Sequence, residues 1–586
     1  MPLFFFLLMM KLSDYQNFIS EKQTPLRYIP AGFVLERWED VQPFFQDLQN
    51  REVLSREDSL RWLADRSELN GLLEEDMAWR YIKMTCDTAD ELAGRRFSVF
   101  VDEIQPRISL FDNQLDKKML HLPFLDQIRE KGLDIYLKNV KQQIEIFREE
   151  NIPLQTEEQN KAKEYSNISG AMGIEWEGSE LTMPQAGVLL QSTDREKRKA
   201  AFEKMGQRRL QDAEALEQLF SRLAEIRQKM AENAGFNNYR DYAFVSMHRH
   251  DYSVADCKNF HTAVEKCVVP LVQNLTVKRR QQLGLETLKP YDLAVEENGK
   301  PPLKAFESGK DLLEKGKEVF GRLNPFLGDC LRAMDRMGHF DLESRKGKAP
   351  GGYNYPLDLC GFPFIFMNAS STLRDMVTLM HEGGHAVHSI VTRFLPFNFL
   401  KHTPSEVAEL ASMSMELMSM DHWDVYFSDP EELKRAKKEH LSQVIDTLPW
   451  VATIDAFQHW IYENPNHSPE ERTRAWLRIS ERFSSGQIDY SGYEKFREIQ
   501  WHKQLHLFEV PFYYIEYGMA QLGAIALWRN FKKNPEKALA DYLAALSLGH
   551  TAGIREVYET AGVKFDFSES YIRELMDFVG REMDAL

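Results

Sequence analysis

The sequence is poor in cysteine, with 5 in 586 residues and no C-x-x-C pair. An odd, scattered set does not make a disulfide framework, which excludes a small stapled secreted scaffold. Reduced Cys86, Cys257, Cys267, Cys330 and Cys360 suit a cytoplasmic protein. A basic excess is also missing: 73 Lys+Arg stand against 90 Asp+Glu, a net charge of −17. That argues against a nucleic-acid partner, which would call for a basic stripe facing phosphate. Long apolar runs are absent apart from Met1–Met10, MPLFFFLLMM, far short of the ~20 residues that span a bilayer as a helix. This stretch has no basic segment before it and no small-residue cleavage site after it, where Lys11-Leu12-Ser13-Asp14-Tyr15 follows. Residues 1–11 therefore read as an apolar extension with a mis-assigned start at Met9 or Met10, and no membrane association is expected. Internal repeats and low-complexity tracts are lacking too.

What is present is core material: 43% of the residues are hydrophobic and 28% charged, an ordinary globular balance. The length admits about four domains or one large enzyme with a single cleft. Leu60–Ala64, Leu210–Gln228 and Pro535–Leu548 carry apolar residues at three- and four-residue spacing, the pattern of amphipathic helices. Glu145–Glu164 reads as a solvated helix face with a turn at Pro153. Phe362–Met367 is the clearest strand-like run, closed by Asn368-Ala369-Ser370. The fold class is mainly α with a small β element. An N-terminal helical region over 12–200 and a catalytic region over 201–586 are expected, although no composition shift marks the boundary.

The segment that carries chemistry is Thr372–Val391, TLRDMVTLMHEGGHAVHSIV, with His381-Glu382-Gly383-Gly384-His385 inside it. On a helix, residues four apart share a face, so both imidazoles can reach one tetrahedral zinc. Glu382 then lies beside the open position, placed to take a proton from water and pass it to a leaving amine. Chance supplies such a match in roughly three of a hundred chains of this composition. The alternative is a helix with two satisfied histidines. Against it, Thr372-x-x-Asp375 is a capping box, and two glycines cost about 1 kcal/mol each inside a helix. A metal site that something approaches closely would explain them.

A third ligand is needed. The metzincin continuation is excluded, because His388 and Val391 occupy its glycine and histidine positions. Pro404–Met420 offers Glu406, Glu409 and Glu416. Thr403-Pro404-Ser405-Glu406 reads as N-cap, helix start and capping-box glutamate, which gives Glu406 a structural task. Glu409 sits on an otherwise apolar stretch, where a carboxylate needs a partner, and is the expected third ligand. Glu406 and Asp375 are candidates to orient an imidazole. His388 reads as a packed or hydrogen-bonded histidine beside the site.

The motif with Glu409 resembles the thimet oligopeptidase and oligoendopeptidase F family of zinc metallopeptidases. The resemblance extends to Gly347–Tyr355, Pro363–Ser370, Thr403–Leu417 and His506–Gln521, and lies mostly in residues 200 to 586. It implies a largely helical body with a deep channel, one zinc per chain, and cleavage inside short, unfolded peptides. It also implies transition-state donors from His506 and Tyr517, with Tyr513 or Tyr514 beside them. Phe364, Phe366 and Asn368 form the strand expected to pair with substrate backbone at a sheet edge, and Gly352 and Tyr353 resemble the family's substrate-side glycine loop. Two other readings stay open: an exopeptidase on the same zinc arrangement, and a non-catalytic peptide-binding homologue. Oligomeric state and side-chain preference are not legible.

Overall fold

The structure is a computed structural model and describes residues 26–345, 347–349 and 351–586; the Met1–Met10 stretch lies outside the described residues. In chain order the principal helices are α1 (Arg56–Cys86), α2 (Asn151–Gly170), α3 (Ala213–Asn233) and α4 (Val254–Cys267), followed by α5 (Leu373–Thr392) and α6 (Ser405–Ser419). Then come α7 (Pro430–Glu463), α8 (Leu505–Glu509) and α9 (Ile515–Lys533). The strands are β1 (Gly173–Trp176), β2 (Ser179–Thr182), β3 (Phe340–Glu343), β4 (Tyr353–Tyr355) and β5 (Phe364–Ala369). Helix dominates, as the periodicity predicts.

Local sequence explains where several helices begin and end. The apolar pattern over Leu210–Gln228 is interrupted at Asp212, which ends the helix Arg195–Gln211 and precedes α3. Pro153 makes no turn; it is the third residue of α2, in a first turn whose N–H groups have no intrahelical partner to lose. The start of α6 also differs from expectation. Pro404, not Thr403, is the N-cap, and no side-chain cap bond forms there. The helix starts one residue later than read, so Glu406 is at N2 and out of register for a capping box.

The chain divides into two compact units, each built from three separate stretches. The first holds Met1–Glu149, Lys304–Arg435 and Ala520–Phe565; the second holds Glu150–Leu303, Ala436–Met519 and Asp566–Leu586. A boundary at residue 200 does not coincide with this division, and it falls inside the helix Arg195–Gln211. Contacts between stretches far apart in sequence define the units, and no composition shift reports them.

In the first unit, Trp38, Phe45, Trp62, Phe100 and Leu115 are core residues, fully or nearly buried. The small sheet runs in the order β3-β5-β4. β5 pairs in parallel with β3 and antiparallel with β4, where Tyr353 faces Phe366 and Tyr355 faces Phe364. β5 is therefore the central strand, and Phe364 and Phe366 are buried. The expectation of β5 as a substrate-pairing edge is corrected: both of its hydrogen-bonding sides are already used. Its nearly unbroken apolar run follows from burial of both faces, since Phe364, Ile365, Phe366 and Met367 are all buried. In the second unit, Arg227 of α3 is fully buried and ties several elements together. It pairs with Glu158 of α2 at 2.6 Å and donates to Tyr462 of α7 and to the Leu507 carbonyl of α8.

Candidate metal centre and active site

The metal-centre residues all belong to the first unit. β5 ends at Ala369, and Ser371 takes a left-handed backbone (φ 71°) that turns the chain into α5. Thr372 then caps the helix: its hydroxyl accepts from the Asp375 N–H at 3.1 Å, and Asp375 Oδ2 accepts from the Thr372 N–H at 3.0 Å. Asp375 Oδ2 also accepts from Ser370 N–H at 2.8 Å. Capping occupies this carboxylate, so its candidacy to orient an imidazole is withdrawn.

Gly383 and Gly384 have a different cause from the one expected. A Cβ on Gly384 would lie 2.7 Å from the Ala411 carbonyl oxygen and from Ser412 Cα, and one on Gly383 would lie 2.4 Å from the Phe320 ring. The close approach is therefore by α6 and by a core phenylalanine. It is this helix contact that carries Glu409 to the histidines.

His381 Nε2 stands 3.3 Å from Glu409 Oε2, and His385 Nε2 stands 3.7 Å from the same oxygen. The donor atoms of His381, His385 and Glu409 all lie within 4.8 Å of one another. Two ligands of one tetrahedral zinc are separated by roughly 3.3 Å, so the set fits such an ion. A Ser412 hydroxyl donates to Glu409 Oε2 at 3.1 Å. On the other side of His381, Nδ1 donates to Glu416 Oε1 at 2.6 Å. The orienting carboxylate is therefore Glu416. It lies two turns beyond Glu409 on the same face of α6, a seven-residue spacing present in the sequence. Glu406 is buried in the first turn of α6, one turn before Glu409.

Electrostatics separate the titratable groups. Burial opposes charge on His381, but Glu409 and Glu416 outweigh it and raise its pKa well above the ordinary value. Burial lowers His385 to about 4 and His388 to about 3. His388 is a packed neutral imidazole outside the ligand cluster. Glu382 is buried, and that burial pushes its carboxyl up to about 7. The Asn354 side chain of β4 donates to the Glu382 carbonyl at 3.1 Å, fixing α5 against the sheet.

The residues expected to hold substrate also make scaffold contacts. Asn368 Nδ2 donates to the carbonyls of Ala349 and Gly351, at 2.7 and 2.9 Å, and so pins the glycine loop. The Tyr353 ring stacks on Phe366 with centroids 4.8 Å apart, and its hydroxyl is 2.6 Å from Thr85 Oγ1. A Cβ on Gly352 would lie 3.3 Å from the Phe366 carbonyl oxygen, so that glycine serves the loop's approach to β5.

In the second unit, His506 on α8 is oriented through a relay that the sequence did not reveal. Trp450 Nε1–H donates to Gln504 Oε1 at 2.9 Å, which directs the Gln504 amide N–H toward His506 Nδ1 at 2.8 Å. Nδ1 is thus an acceptor, and the imidazole proton sits on Nε2. That Nε2–H faces the Tyr517 hydroxyl at 3.4 Å. Tyr513 and Tyr514 each pack 5.3 Å from the Tyr517 ring, so packing does not separate them. Phe512, buried and left-handed (φ 69°), makes the bend before the pair.

A mainly helical chain with an HExxH helix, a carboxylate from the next helix and an orienting glutamate has the fold and site of a metallopeptidase-type protein. Residues 188–577 match the model of peptidase family M3, and residues 33–147 match the M3 N-terminal domain. The chain belongs to peptidase family M3. The oligoendopeptidase F homolog of Borreliella burgdorferi is 24% identical over 290 residues, 48% of this chain and 48% of that protein. Oligopeptidase PepF of Bacillus subtilis is 25% identical over 311 residues, 50% of this chain and 44% of that protein. The chain thus spans about half the length of the curated relatives it matches. The solved structure of PZ peptidase A with an inhibitor aligns at a TM-score of 0.88 and 25% identity, covering 97% of this chain and 99% of that one.

Proposed function

We propose that this chain is a zinc-dependent endopeptidase that hydrolyses internal bonds of short, unfolded peptides. The observation that carries the reading is the convergence of His381, His385 and Glu409 around one point, beside a buried Glu382. The two Nε2 atoms and Glu409 Oε2 would hold the ion, and Glu416 would keep His381 in the tautomer that presents Nε2. When bound, zinc supplies Lewis-acid polarisation of the scissile carbonyl and a lowered pKa for water. Glu382 takes a proton from the attacking water and returns it to the leaving nitrogen; a carboxyl displaced toward neutrality by burial suits both directions.

His506 Nε2–H and the Tyr517 hydroxyl are assigned to the oxyanion, with Tyr513 or Tyr514 in support. That assignment rests on the family resemblance and on the tautomer set by Gln504. Donors of this kind contribute about 3–4 kcal/mol to a transition state. Substrate backbone is assigned to β4, which has a strand partner on one side only among the described residues. No described helix is long and apolar enough to cross a membrane, and no disulfide joins the five cysteines; we place the protein in the cytoplasm.

The test is digestion of a blocked-end peptide library with product masses read by mass spectrometry. Internal cleavage that stops with a chelator and returns with zinc supports the reading. Trimming from the ends, or cleavage indifferent to chelation, overturns it.

A further inference from the structure

Within the second unit, α4 and α7 carry four ligand-type side chains that the proposed reaction does not use. α4 contributes Cys257 and His261, and α7 contributes Asp455 and His459. Each pair is four residues apart, so each helix presents both members on one face. Cys257 and Asp455 are 0% exposed, and His261 and His459 are 3% exposed. Ligand atoms of Cys257, Asp455 and His459 all lie within 4.8 Å of one another. His459 Nε2 is 3.2 Å from Asp455 Oδ2, close to the ~3.3 Å between two ligands of one tetrahedral ion.

The hydrogen bonds of this cluster are incomplete in a particular way. His261 Nε2–H donates to Asp455 Oδ2 at 2.7 Å. Among the described residues, Asp455 Oδ1 and His459 Nδ1 have no hydrogen-bond partner, and His459 Nε2 meets Asp455 Oδ2 only as the 3.2 Å ion-pair contact. A self-contained polar cluster would pair these atoms, because a buried carboxylate is unfavourable unless a cation or a full set of donors meets it. Here a thiol, an imidazole nitrogen and a carboxylate oxygen converge instead. Thiolate and imidazole together select zinc and similar borderline ions over magnesium or calcium.

We infer that Cys257, Asp455 and His459 form a second metal site, for zinc, that pins α4 to α7, with His261 as the group that orients Asp455. His261 and His459 also line a cavity of about 430 Å³, which supplies the entry path such a site requires. The inference stands on the second unit alone and does not depend on the peptidase reading.

The experiment is metal analysis of the purified full chain, followed by titration of the metal-free chain with Co(II). Zinc should be present at about two equivalents, and a His381→Ala/His385→Ala chain should keep about one. The Co(II) form of that double variant should show a near-ultraviolet thiolate-to-cobalt band. The band should vanish in Cys257→Ser, and Asp455→Asn should lose one equivalent while circular dichroism remains that of the parent. His459→Gln provides a second variant with the same expected loss should Asp455→Asn fold poorly. A wild-type chain that binds one equivalent, and a His381→Ala/His385→Ala chain that binds none, would overturn the inference. So would a second equivalent that shows no thiolate band.

Discussion

Two helix pairs in this protein are built alike, yet only one of them could be read. α5 presents His381 and His385 four residues apart, and α6 supplies Glu409 and Glu416. α4 presents Cys257 and His261 four residues apart, and α7 supplies Asp455 and His459. The chemistry is comparable, with a carboxylate and an imidazole in each. In the first pair the ligands fall within one short stretch of chain; in the second, His261 and Asp455 are 194 residues apart. Legibility follows sequence distance, because a motif is a local pattern and a pairing of remote helices is not. The pairs also differ in how the helices meet: glycine admits the backbone of α6 at Gly384.

The largest expected effect separates chemistry from metal retention in the first pair. Glu382→Gln should lower kcat/KM by about 10³-fold while zinc content stays unchanged, measured on a quenched fluorescent peptide with parallel metal analysis. Loss of metal in that variant would mean that Glu382 is part of the ligand set.

A smaller effect divides the three carboxylates of α6. Glu416→Gln should weaken zinc binding by roughly 10- to 100-fold, the usual cost of losing a partner that orients a ligand. Glu406→Gln should leave affinity where it was. Chelator competition measures both, and equal weakening would undo the distinction drawn from the His381–Glu416 bond.

Gly384→Ala tests the glycine explanation. Its methyl group meets α6 backbone at 2.7 Å, so a loss of about 1–3 kcal/mol in stability is expected from overpacking. Urea unfolding gives the number. Zinc at the first pair should fall with it, and the α4–α7 cluster should keep its own metal.

The smallest effect is at the start of α5. Asp375→Ala should cost about 1 kcal/mol, as for a lost cap, with zinc affinity unaltered by chelator competition. A clear drop in affinity would restore the orienting role that the Thr372 cap now excludes.

Much of the site was legible because its signals are local. His381, Glu382 and His385 follow from a spacing of four on one helix, and Glu409 from a carboxylate on an apolar face. Thr372 and Asp375 were readable as a cap for the same reason, and the cap is there. The place of β5 in its sheet was not readable. Phe364 and Phe366 looked like an edge strand because an apolar run does not say how many neighbours it has; β3 and β4 occupy both sides. Nor were the scaffold partners of Asn368 and Tyr353 readable, which are the Gly351 carbonyl and Thr85. The task of Gln504 is not legible in the sequence, because it depends on Trp450, a partner on another helix.

By itself, the sequence determined that this is a mainly helical, cysteine-poor chain with an HExxH helix and a carboxylate one helix later. Those features depend on hydrogen-bond periodicity and on residues within a few turns of one another. Tertiary structure alone decided that Glu416 orients His381, that the glycines admit a helix, and that β5 is central. It alone brought Cys257 and His261 against Asp455 and His459. Each of these depends on which distant surfaces pack together, and packing is settled by the burial of the whole chain, which no short stretch encodes.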